Sequence, residues 1–465
     1  MSERHPLVII GAGPAGMAAA ASAARHGIRP VLLDEQPAPG GQIYRGVDQA
    51  PRTRGELLGT DYRHGRTLTE PLRHADVDYR PGSMVWQLTR DREVGVLRQG
   101  RAALIQAERV IIATGAQERP FPVPGWTLPG AMGAGAGQVL LKTSGLVPEG
   151  PVVIAGTGPL LFLVAVQYLR SGANVAAVLE TTAPRHRWAA LRHLPGALRG
   201  YGHLRKGLAL LAELRRHGVR HVRGVDALRI EGENRVAAVA WRRAGRWERV
   251  AATTALLHHG VVPNVQMTRA LGCEHVWDAR QRSWRPRLDE HLTTDAPGIA
   301  VAGDGGGIVG ARASEHQGRI AAFAAAHAMG AMDRGVRDAE LAPVRRALTR
   351  ELAVRAFLDV RYRPAEHWLR PDDEVTVCRC EEVSAGEIRR VAALGCSGPN
   401  QAKSFSRCGM GPCQGRMCGL TVAELLAEAN AESVAAVGYY RIRPPLKPIT
   451  LAQLAAAATA DDEAA

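Results

Sequence analysis

The chain has 465 residues, a length that accommodates about three domains, each with its own core. Its hydrophobic content of 46% and charged content of 22% are ordinary for a soluble globular protein. The formal net charge of +14 favours acidic partners or phosphate-bearing cofactors, but the arginines are dispersed and accompany no recognition motif, so we expect no nucleic acid partner.

A nucleotide-binding turn lies near the start of the chain. The apolar run 7–10 predicts a buried parallel strand, and a glycine-rich turn follows it at once. The turn has the spacing G-x-G-x-x-G and consists of Gly11, Gly13, Pro14, Ala15 and Gly16. These glycines allow a tight turn, a close backbone approach to a pyrophosphate and close helix packing. Because the turn interrupts the apolar stretch, we expect neither a secretory peptide nor a membrane span here.

The second predicted strand ends at two acidic residues. Asp34 and Glu35 close the run PVLLDE, and one of them should accept hydrogen bonds from the adenosine ribose of a dinucleotide. We favour Glu35, since it stands five residues before Gly40 in EQPAPGGQIYR, where Gly41 and Gln42 complete a GGQ motif. The glycine fingerprint alone would be weak evidence, but strand, glycines, acid and GGQ together predict an FAD site.

Two later segments resemble parts of flavoproteins that have two dinucleotide-binding domains. Ala113, Thr114 and Gly115, in ATGAQERPFPVPGW, resemble the segment by which such proteins return to the FAD. In AGDGGG the resemblance implies that Asp304, which follows Gly303, bonds the ribityl chain of FAD.

A second nucleotide turn occurs in VVIAGTGPLLFL. Gly156 and Gly158 hold the first two glycine positions, but Leu161 stands at the third, so we expect looser packing between helix and strand. Glu180 ends the next strand and could hold a ribose 2′-hydroxyl, while an arginine suited to a 2′-phosphate is missing there. NAD or another adenine nucleotide is therefore the candidate ligand, and a relic turn kept for packing or subunit contacts is the alternative.

Residues 126–145 contain no cysteine, although disulfide reductases of this architecture carry a C-x-x-C or similar pair against the flavin. Thiol–disulfide chemistry is therefore excluded at that position. The sequence also reveals no paired acid and base, activated nucleophile or catalytic metal triad, so the catalytic residues stay unknown.

Six of the seven cysteines lie in the stretch from Cys378 to Cys418. Cys378 and Cys380 form C-x-C, and Cys413 and Cys418 form C-x4-C after 32 intervening residues. Four thiolates are the number that a 2Fe–2S cluster takes. Zinc is the alternative, although its usual knuckles space the ligands by two to four residues and C-x-C is tight. Cys408 could replace Cys413 or Cys418 as a ligand.

The cysteine spacing resembles the bacterioferritin-associated ferredoxin type of 2Fe–2S domain, in whose terms Cys378, Cys380, Cys413 and Cys418 match and Cys408 is surplus. Over essentially the full length, the chain resembles the A, or alpha, subunit of opine oxidases, of related hydroxyproline or proline dehydrogenases and of hydrogen cyanide synthase. The segments that carry this resemblance are GAGPAG, GGQIYR, ATGAQERPFPVPGW, AGDGGGIVGARASEHQGRIAA, CRCEEVSAGEI and GMGPCQGRMCG. The resemblance implies that a separate flavoprotein subunit related to D-amino acid oxidase oxidises the amine. The present chain then supplies FAD and iron–sulfur centres, and a small ferredoxin-like third subunit is sometimes present.

We therefore predict an α/β protein with two dinucleotide-binding, Rossmann-like domains of the disulfide-reductase-like flavoprotein type, one inserted in the other, and a small C-terminal α-rich 2Fe–2S domain. The predicted units are a discontinuous FAD-binding domain (1–120 and 258–335), an NAD-binding-like insert (126–257), a helical linker (336–372), the cluster domain (373–430) and an extended tail (431–465).

The predicted function is that of an oxidoreductase acting on CH–NH donors. The chain would be the electron-transfer subunit of a hetero-oligomeric opine, proline or hydroxyproline-type dehydrogenase and would pass electrons from its partner to a quinone or cytochrome. A self-sufficient NADH-dependent flavin and iron–sulfur oxidoreductase is the alternative. We expect a cytoplasmic location, free or peripheral on the cytoplasmic face of the membrane, and no transmembrane segment.

Overall fold

The computed structural model describes residues 3–462. The chain as far as residue 118 forms most of one sheet together with four helices. Its strands are β1 (Glu3–Ile10), β2 (Val31–Asp34), β3 (Asp78–Pro81), β4 (Ser83–Leu88), β5 (Glu93–Arg98), β6 (Arg101–Ile112) and β7 (Ala116–Glu118). Its helices are α1 (Pro14–Arg25), α2 (Arg52–Leu58), α3 (Thr60–Arg63) and α4 (Arg66–His74).

Strand β1 lies at the centre of this sheet, parallel to both of its neighbours, β2 and β6. The last four residues of β1 are apolar without alternation and are at most 4% exposed, as expected of a strand that is covered on both faces. The sheet order is β3-β2-β1-β6-β5-β4, in which β4, β5 and β6 pair antiparallel.

The next part of the chain, residues 131–263, contains a second sheet, which is parallel, and several strands outside it. The strands of this part are β8 (Ala131–Gly133), β9 (Val152–Thr157), β10 (Val175–Glu180), β11 (Arg220–Arg223), β12 (Ala227–Glu231), β13 (Ala238–Arg243), β14 (Arg246–Ala251), β15 (Thr254–His259) and β16 (Val261–Pro263). Its helices are α5 (Ala134–Ser144), α6 (Pro159–Arg170), α7 (Pro184–Leu191), α8 (Leu194–Arg199) and α9 (Tyr201–Arg216).

The second sheet is inserted in the first unit. Its five parallel strands have the order β11-β10-β9-β15-β8, while β12, β13 and β14 form a separate antiparallel sheet. Strands β7 and β16 pair antiparallel, so the chain leaves the first unit and returns to it side by side. This arrangement confirms the predicted α/β class, with one Rossmann-like unit inserted in the other. The exact domain boundaries stay predictions.

The remaining chain completes the first sheet and builds a small cysteine-rich unit. Its strands are β17 (His275–Asp278), β18 (Ser283–Pro286), β19 (Ile299–Val301), β20 (Thr376–Cys378) and β21 (Val383–Ser384). Its helices are α10 (Gln266–Ala270), α11 (Ala311–Ala328), α12 (Arg334–Leu352), α13 (Arg355–Arg361), α14 (Ala385–Ala393), α15 (Pro399–Ser406), α16 (Gly419–Ala429), α17 (Val434–Val437) and α18 (Leu451–Asp462). Single 3₁₀ turns occur at Asp304–Gly306 and Glu366–Leu369.

Strand β19 pairs with β6 and so returns the chain to the first glycine turn. Helix α11 then packs closely against α1, since a Cβ atom on Gly318 would lie 2.1 Å from the carbonyl oxygen of Ala15. This close crossing holds the start of α11, and Asp304 just before it, beside the turn that opens α1.

The tail differs from the extended segment that we predicted for residues 431–465. Helix α17 lies near its start, and α18 begins at Leu451. A run without helix or strand, Gly438 to Thr450, separates the two helices, and residues 463–465 lie outside the described part of the chain. Within residues 3–462, no helix is both long and apolar enough to cross a membrane.

Candidate functional site

The first glycine turn is held in place by the Asp34 carboxylate. The backbone N–H of Ala12 donates to Asp34 at 3.1 Å, and that of Gln36 donates at 2.9 Å. Burial raises the pKa of Asp34, while these two donors act in the opposite direction. A Cβ atom on Gly16 would lie 1.8 Å from the carbonyl oxygen of Gly11, so the turn leaves room only for glycine there. Asp34 thus supports the turn from within the protein.

The neighbouring acid, Glu35, faces a large cavity and is about half exposed, at 47%. Its carboxylate forms an ion pair with Lys447, which comes from the extended tail and also lines the cavity. The tail is fixed there by the backbone N–H of Leu446, which donates to the carbonyl oxygen of Trp86 at 2.7 Å. The tail therefore crosses the position at which we predict the adenosine ribose.

The GGQ motif closes on the glycine turn. Gly41 has φ +57, and a Cβ atom on it would lie 2.8 Å from the Cα of Gly13. The Gln42 carbonyl oxygen accepts a hydrogen bond from the ammonium of Lys142 at 3.0 Å, and the Gln138 side chain accepts another at 2.8 Å. Burial lowers the pKa of Lys142 to about 7, so this lysine loses much of its charge near neutral pH.

Both later return segments reach the same cavity. The backbone N–H of Ala113 donates to the carbonyl oxygen of Ile10 at 2.8 Å and so extends β6 alongside the turn. One carboxylate oxygen of Asp304 accepts from the backbone N–H groups of Val309 and Gly310, both at 2.8 Å. This caps the loop before α11 and fixes the Asp304 carboxyl at the cavity wall.

The cavity has a volume of about 2200 Å³, larger than the ~300–1,000 Å³ of most small-molecule sites. Most of the predicted cofactor-binding residues line it, namely Gly11, Gly13, Pro14, Ala15, Asp34, Glu35, Gly41, Gln42, Ala113, Thr114, Gly115, Gly158, Gly303 and Asp304. Gly16 packs behind the turn instead, and Gly156 and Glu180 of the second turn do not line the cavity.

The second glycine turn does not fit a dinucleotide in the usual manner. Glu180, at its predicted ribose position, is only 1% exposed. It contacts the Arg187 guanidinium at 3.4 Å and the His221 ring at 3.2 Å, so its charge is already compensated inside the protein. Thr157 of the turn hydrogen-bonds the carbonyl oxygen of Tyr362, which belongs to the linker, at 3.5 Å. The linker therefore contacts this turn at Thr157, while Gly158 still lines the cavity.

Three buried cysteines form a compact group, which we call the thiol trio. The sulfur atoms of Cys378, Cys408 and Cys418 all lie within 4.8 Å of one another. Hydrogen bonds from Cys408 and Cys418 hold the pKa of Cys378 far below its usual value. Three sulfur atoms this close together can bind one metal ion.

The two remaining predicted ligands form a pair beside the trio. Cys380 is exposed and Cys413 is partly buried, and the two are hydrogen-bonded to each other. Sequence reasoning therefore named two members of the trio and both members of the pair, and it raised Cys408 as a possible substitute. Cys396 stays apart as a buried thiol that donates to the carbonyl oxygen of Gly398 at 3.4 Å.

This donor set fits an iron–sulfur group. The trio and the neighbouring pair together offer five thiols, more than the four that a 2Fe–2S cluster needs. The backbone N–H groups of Gly409 and Glu381 donate to Cys378, and that of Cys413 donates to Cys380. Backbone donors of this kind offset the negative charge of iron-bound thiolates. Four sulfur ligands also satisfy zinc, so the metal's identity stays a prediction.

The segment from Cys408 to Cys418, which we call the cysteine loop, borders the dinucleotide cavity. Arg416, between Cys413 and Cys418, lines that cavity, and its carbonyl oxygen accepts a hydrogen bond from the Gln117 side chain at 2.8 Å. The Arg416 guanidinium donates to the carbonyl oxygen of Leu446 in the tail at 3.1 Å. The two candidate cofactor sites are therefore joined through this one loop.

A buried ion pair fixes the cysteine unit to the first sheet's unit. The guanidinium of Arg282 contacts both carboxylate oxygens of Glu424, in α16, at 2.6 and 2.7 Å. We expect Arg282→Met to lower the free energy of unfolding by about 3–5 kcal/mol, because Glu424 would keep a buried charge without its partner. Urea denaturation followed by tryptophan fluorescence measures the change.

The matched control for this prediction is Arg287→Met, which breaks the exposed pair between Arg287 and Glu274, whose atoms lie 2.8 Å apart. It should change the free energy of unfolding by no more than about 1 kcal/mol. Equal changes in the free energy of unfolding would mean that the buried pair contributes no more to stability than the exposed pair.

Several site residues were missed from the sequence. The prolines of VGYYRIRPPLKPIT suggest a tail with two exposed tyrosines that wraps over a neighbouring domain or subunit. The tail does lie over the first sheet's unit at Trp86 and Glu35, but the exposure is wrong, since Tyr439 and Tyr440 are 8% and 1% exposed and lie against the cysteine loop. Lys447 and Arg416 carry no local motif that would have revealed their contacts.

Comparison with known proteins places the chain among oxidoreductases. Residues 5–330 match the family described as pyridine nucleotide-disulphide oxidoreductase, and residues 375–458 match the sarcosine oxidase A3 domain. The A subunit of opine oxidase from Rhizobium meliloti is 44% identical over 98% of this chain and 88% of its own length. The HcnB subunit of hydrogen cyanide synthase from Pseudomonas protegens is 34% identical over 95% of this chain and 96% of its own length.

Among solved structures, L-proline dehydrogenase from P. horikoshii aligns over 98% of this chain and 80% of that chain. The TM-score is 0.70 and the sequence identity is 18%, so the likeness concerns the fold alone. Thioredoxin reductase from T. acidophilum aligns over 70% of this chain and 99% of its own, with a TM-score of 0.50 and 19% identity.

Proposed function

Since the chain belongs to the pyridine nucleotide-disulphide oxidoreductase family and to the family of the opine oxidase A subunits, we propose that it is the electron-transfer subunit of a hetero-oligomeric amine or amino-acid dehydrogenase. The family makes it an oxidoreductase with a fold that binds FAD or NAD(P). In our proposal the bound groups are FAD and a 2Fe–2S cluster, and electrons pass from a partner flavoprotein subunit to an acceptor.

The observation that carries this proposal is the shared boundary between the two candidate sites. Arg416 belongs to the cysteine loop and lines the dinucleotide cavity, while Gln117, two residues after Gly115, holds the loop's backbone. A protein that uses its two cofactors separately has no need of such a boundary. Contact between the sites favours transfer from one to the other within a single chain.

In this proposal, each group of residues binds one part of the FAD or the iron–sulfur cluster. The glycine turn presents backbone N–H groups and the start of α1 to the pyrophosphate, while Glu35 accepts from the ribose and Asp304 from the ribityl chain. Cys378, Cys380, Cys413 and Cys418 bind the iron, with Cys408 as the substitute for Cys413 or Cys418. A flavin accepts two electrons together and releases them singly, and an iron–sulfur cluster carries one at a time, so the two groups convert a hydride-type input into single electrons.

The oxidation of the C–N bond belongs, in this proposal, to a partner subunit that resembles D-amino acid oxidase. The relatives support a partner, since they are subunits of opine oxidase and of hydrogen cyanide synthase. A small ferredoxin-like subunit could complete the assembly. The donor would be an opine, proline or hydroxyproline-type compound, and the acceptor a quinone or cytochrome reached from the cytoplasm or from its membrane face.

The rival function is a self-sufficient NADH-dependent reductase that uses the second glycine turn. The burial of Glu180 against Arg187 and His221 argues against it, because a ribose would have to displace an internal ion pair. Tyr362 of the linker also covers Thr157, next to the phosphate position of this turn.

We therefore expect the chain purified alone, loaded with FAD and iron, to oxidise NADH at no more than the rate of free flavin. Steady-state reduction of an artificial acceptor measures this rate. The same preparation mixed with the proposed D-amino acid oxidase-like partner subunit should reduce the acceptor when an amine substrate is added. Rapid turnover of NADH by the chain alone would favour the reductase.

A further inference from the structure

The hydroxyl group of Tyr440 lies against the thiol trio. Its oxygen is 3.5 Å from the sulfur of Cys408 and 3.9 Å from that of Cys418. It also donates to the carbonyl oxygen of Cys408 at 3.0 Å. Tyr440 is 1% exposed, so water does not compete for this hydroxyl. A single buried O–H group therefore has two sulfur atoms and one carbonyl oxygen within reach.

The cysteine loop is shaped to receive the Tyr440 ring. A Cβ atom on Gly415 would lie 2.2 Å from the ring, and one on Gly409 would lie 2.5 Å from it. Both glycines have positive φ, and both stand within three residues of a cysteine of the site. The ammonium of Lys403 lies 4.6 Å from the ring centroid on one face of the ring. The ring is thus fixed by backbone contacts, and the direction of its hydroxyl is fixed with it.

A hydrogen bond to a thiolate that binds iron is stronger when the cluster is reduced, because reduction adds negative charge to the sulfur atoms. The Cys408 carbonyl oxygen is neutral in both states, so reduction favours donation to sulfur over donation to this carbonyl. A donor in this position stabilises the reduced state and raises the reduction potential.

We propose that Tyr440 is a positioning residue whose hydroxyl donates a hydrogen bond to sulfur of the thiol trio, to Cys408 and, once Cys418 is an iron-bound thiolate, to Cys418, and so raises the reduction potential of the iron–sulfur cluster. The proposal rests on the cluster assigned above to the cysteine loop. It gives the C-terminal tail a role in electron transfer, since the tail delivers Tyr440 to one cofactor site and Lys447 to the other.

The test is Tyr440→Phe in the full chain, with Tyr439→Phe as the matched control. Tyr439 is the adjacent ring in the same tail and is also buried, but its hydroxyl donates to the carbonyl oxygen of Gly415 at 3.4 Å. For each protein, iron and acid-labile sulfide are assayed, and the midpoint potential is measured by redox titration followed by electron paramagnetic resonance.

We expect both variants to keep iron and sulfide at the wild-type ratio. Tyr440→Phe should shift the midpoint potential to a more negative value and change the g values of the reduced cluster, while Tyr439→Phe should leave both near wild type. Equal potentials in all three proteins, or equal shifts in the two variants, would overturn the proposal. Loss of iron from Tyr440→Phe alone would also overturn it, because the hydroxyl would then be needed for assembly.

A failure of the cluster assignment is distinguishable from a failure of this proposal. If the wild-type chain itself holds zinc or lacks sulfide, the proposed function fails before any variant is compared.

If Tyr440→Phe does not fold, as judged by its thermal unfolding, Tyr440→Met replaces it, since methionine also lacks a strong donor and adapts its shape to the space left by the ring.

Discussion

Replacing Cys418 with serine should abolish the binding of iron and sulfide and, with it, the passage of electrons to an acceptor. Cys418 belongs both to the four ligands predicted from the sequence and to the thiol trio. Loss of an outer-shell partner typically weakens metal binding by ~10–100-fold, and the loss of a direct ligand should cost at least as much. Iron and sulfide assays of the purified variant measure the binding, and the visible absorption spectrum reports the cluster.

Cys273→Ala is the control for this substitution. Cys273 is buried far along the chain from the cysteine loop, and burial raises the pKa of its thiol to about 11, so it stays neutral. The variant should retain full iron and sulfide. A Cys418→Ser protein with wild-type iron content would remove Cys418 from the ligand set and with it the assignment of the cluster to this loop.

The same assay decides between Cys408 and Cys413. Cys408→Ser should keep the cluster if Cys413 is the ligand, as the spacing predicts, and Cys413→Ser should then lose it. The reverse result would make the thiol trio the larger part of the ligand set. Loss in both variants would mean that the fifth thiol supports assembly of the cluster.

The parts of the site that the sequence predicts well are those built from neighbouring residues. The turn from Gly11 to Gly16 leaves no room for side chains at its closest contacts. The position of Asp34, which binds this turn, follows from the usual length of the helix and the strand that come after the turn. The buried parallel strands of both sheets are also predictable, because runs such as 7–10 and 152–155 are apolar without alternation.

The contacts that the sequence did not predict join distant parts of the chain. Lys447 meets Glu35 across more than four hundred residues, and Tyr440 reaches Cys418 only after α16 and α17 have turned the chain back. The Cys408 sulfur joins the trio because of the loop's path, which residue spacing does not determine. Glu180 looked free in the sequence because Arg187 lies beyond its strand, in the next helix.

Replacing Gly16 with alanine should release the dinucleotide and weaken its binding by roughly 10–100-fold, since added atoms in a closely packed place typically cost about 1–3 kcal/mol. The new Cβ atom would lie 1.8 Å from the Gly11 carbonyl oxygen and 3.4 Å from the Ala113 Cβ. Either α1 must move away from the turn or the turn must open, and both changes displace the backbone N–H groups that face the pyrophosphate. Fluorescence of the bound flavin, measured after gel filtration of the purified variant, reports the retained fraction.

Gly207→Ala separates this steric effect from the general effect of adding a methyl group to a helix. Gly207 lies inside α9, and a Cβ atom on it would meet nothing within 4 Å. That substitution should leave flavin content unchanged and stabilise the protein by about 0.5–1 kcal/mol, because alanine loses less backbone entropy on folding than glycine does. If Gly16→Ala also kept its flavin, the pyrophosphate would not rest on this turn. The cavity beside the cysteine loop would then need another ligand, and contact between the two sites would no longer support transfer between a flavin and a cluster.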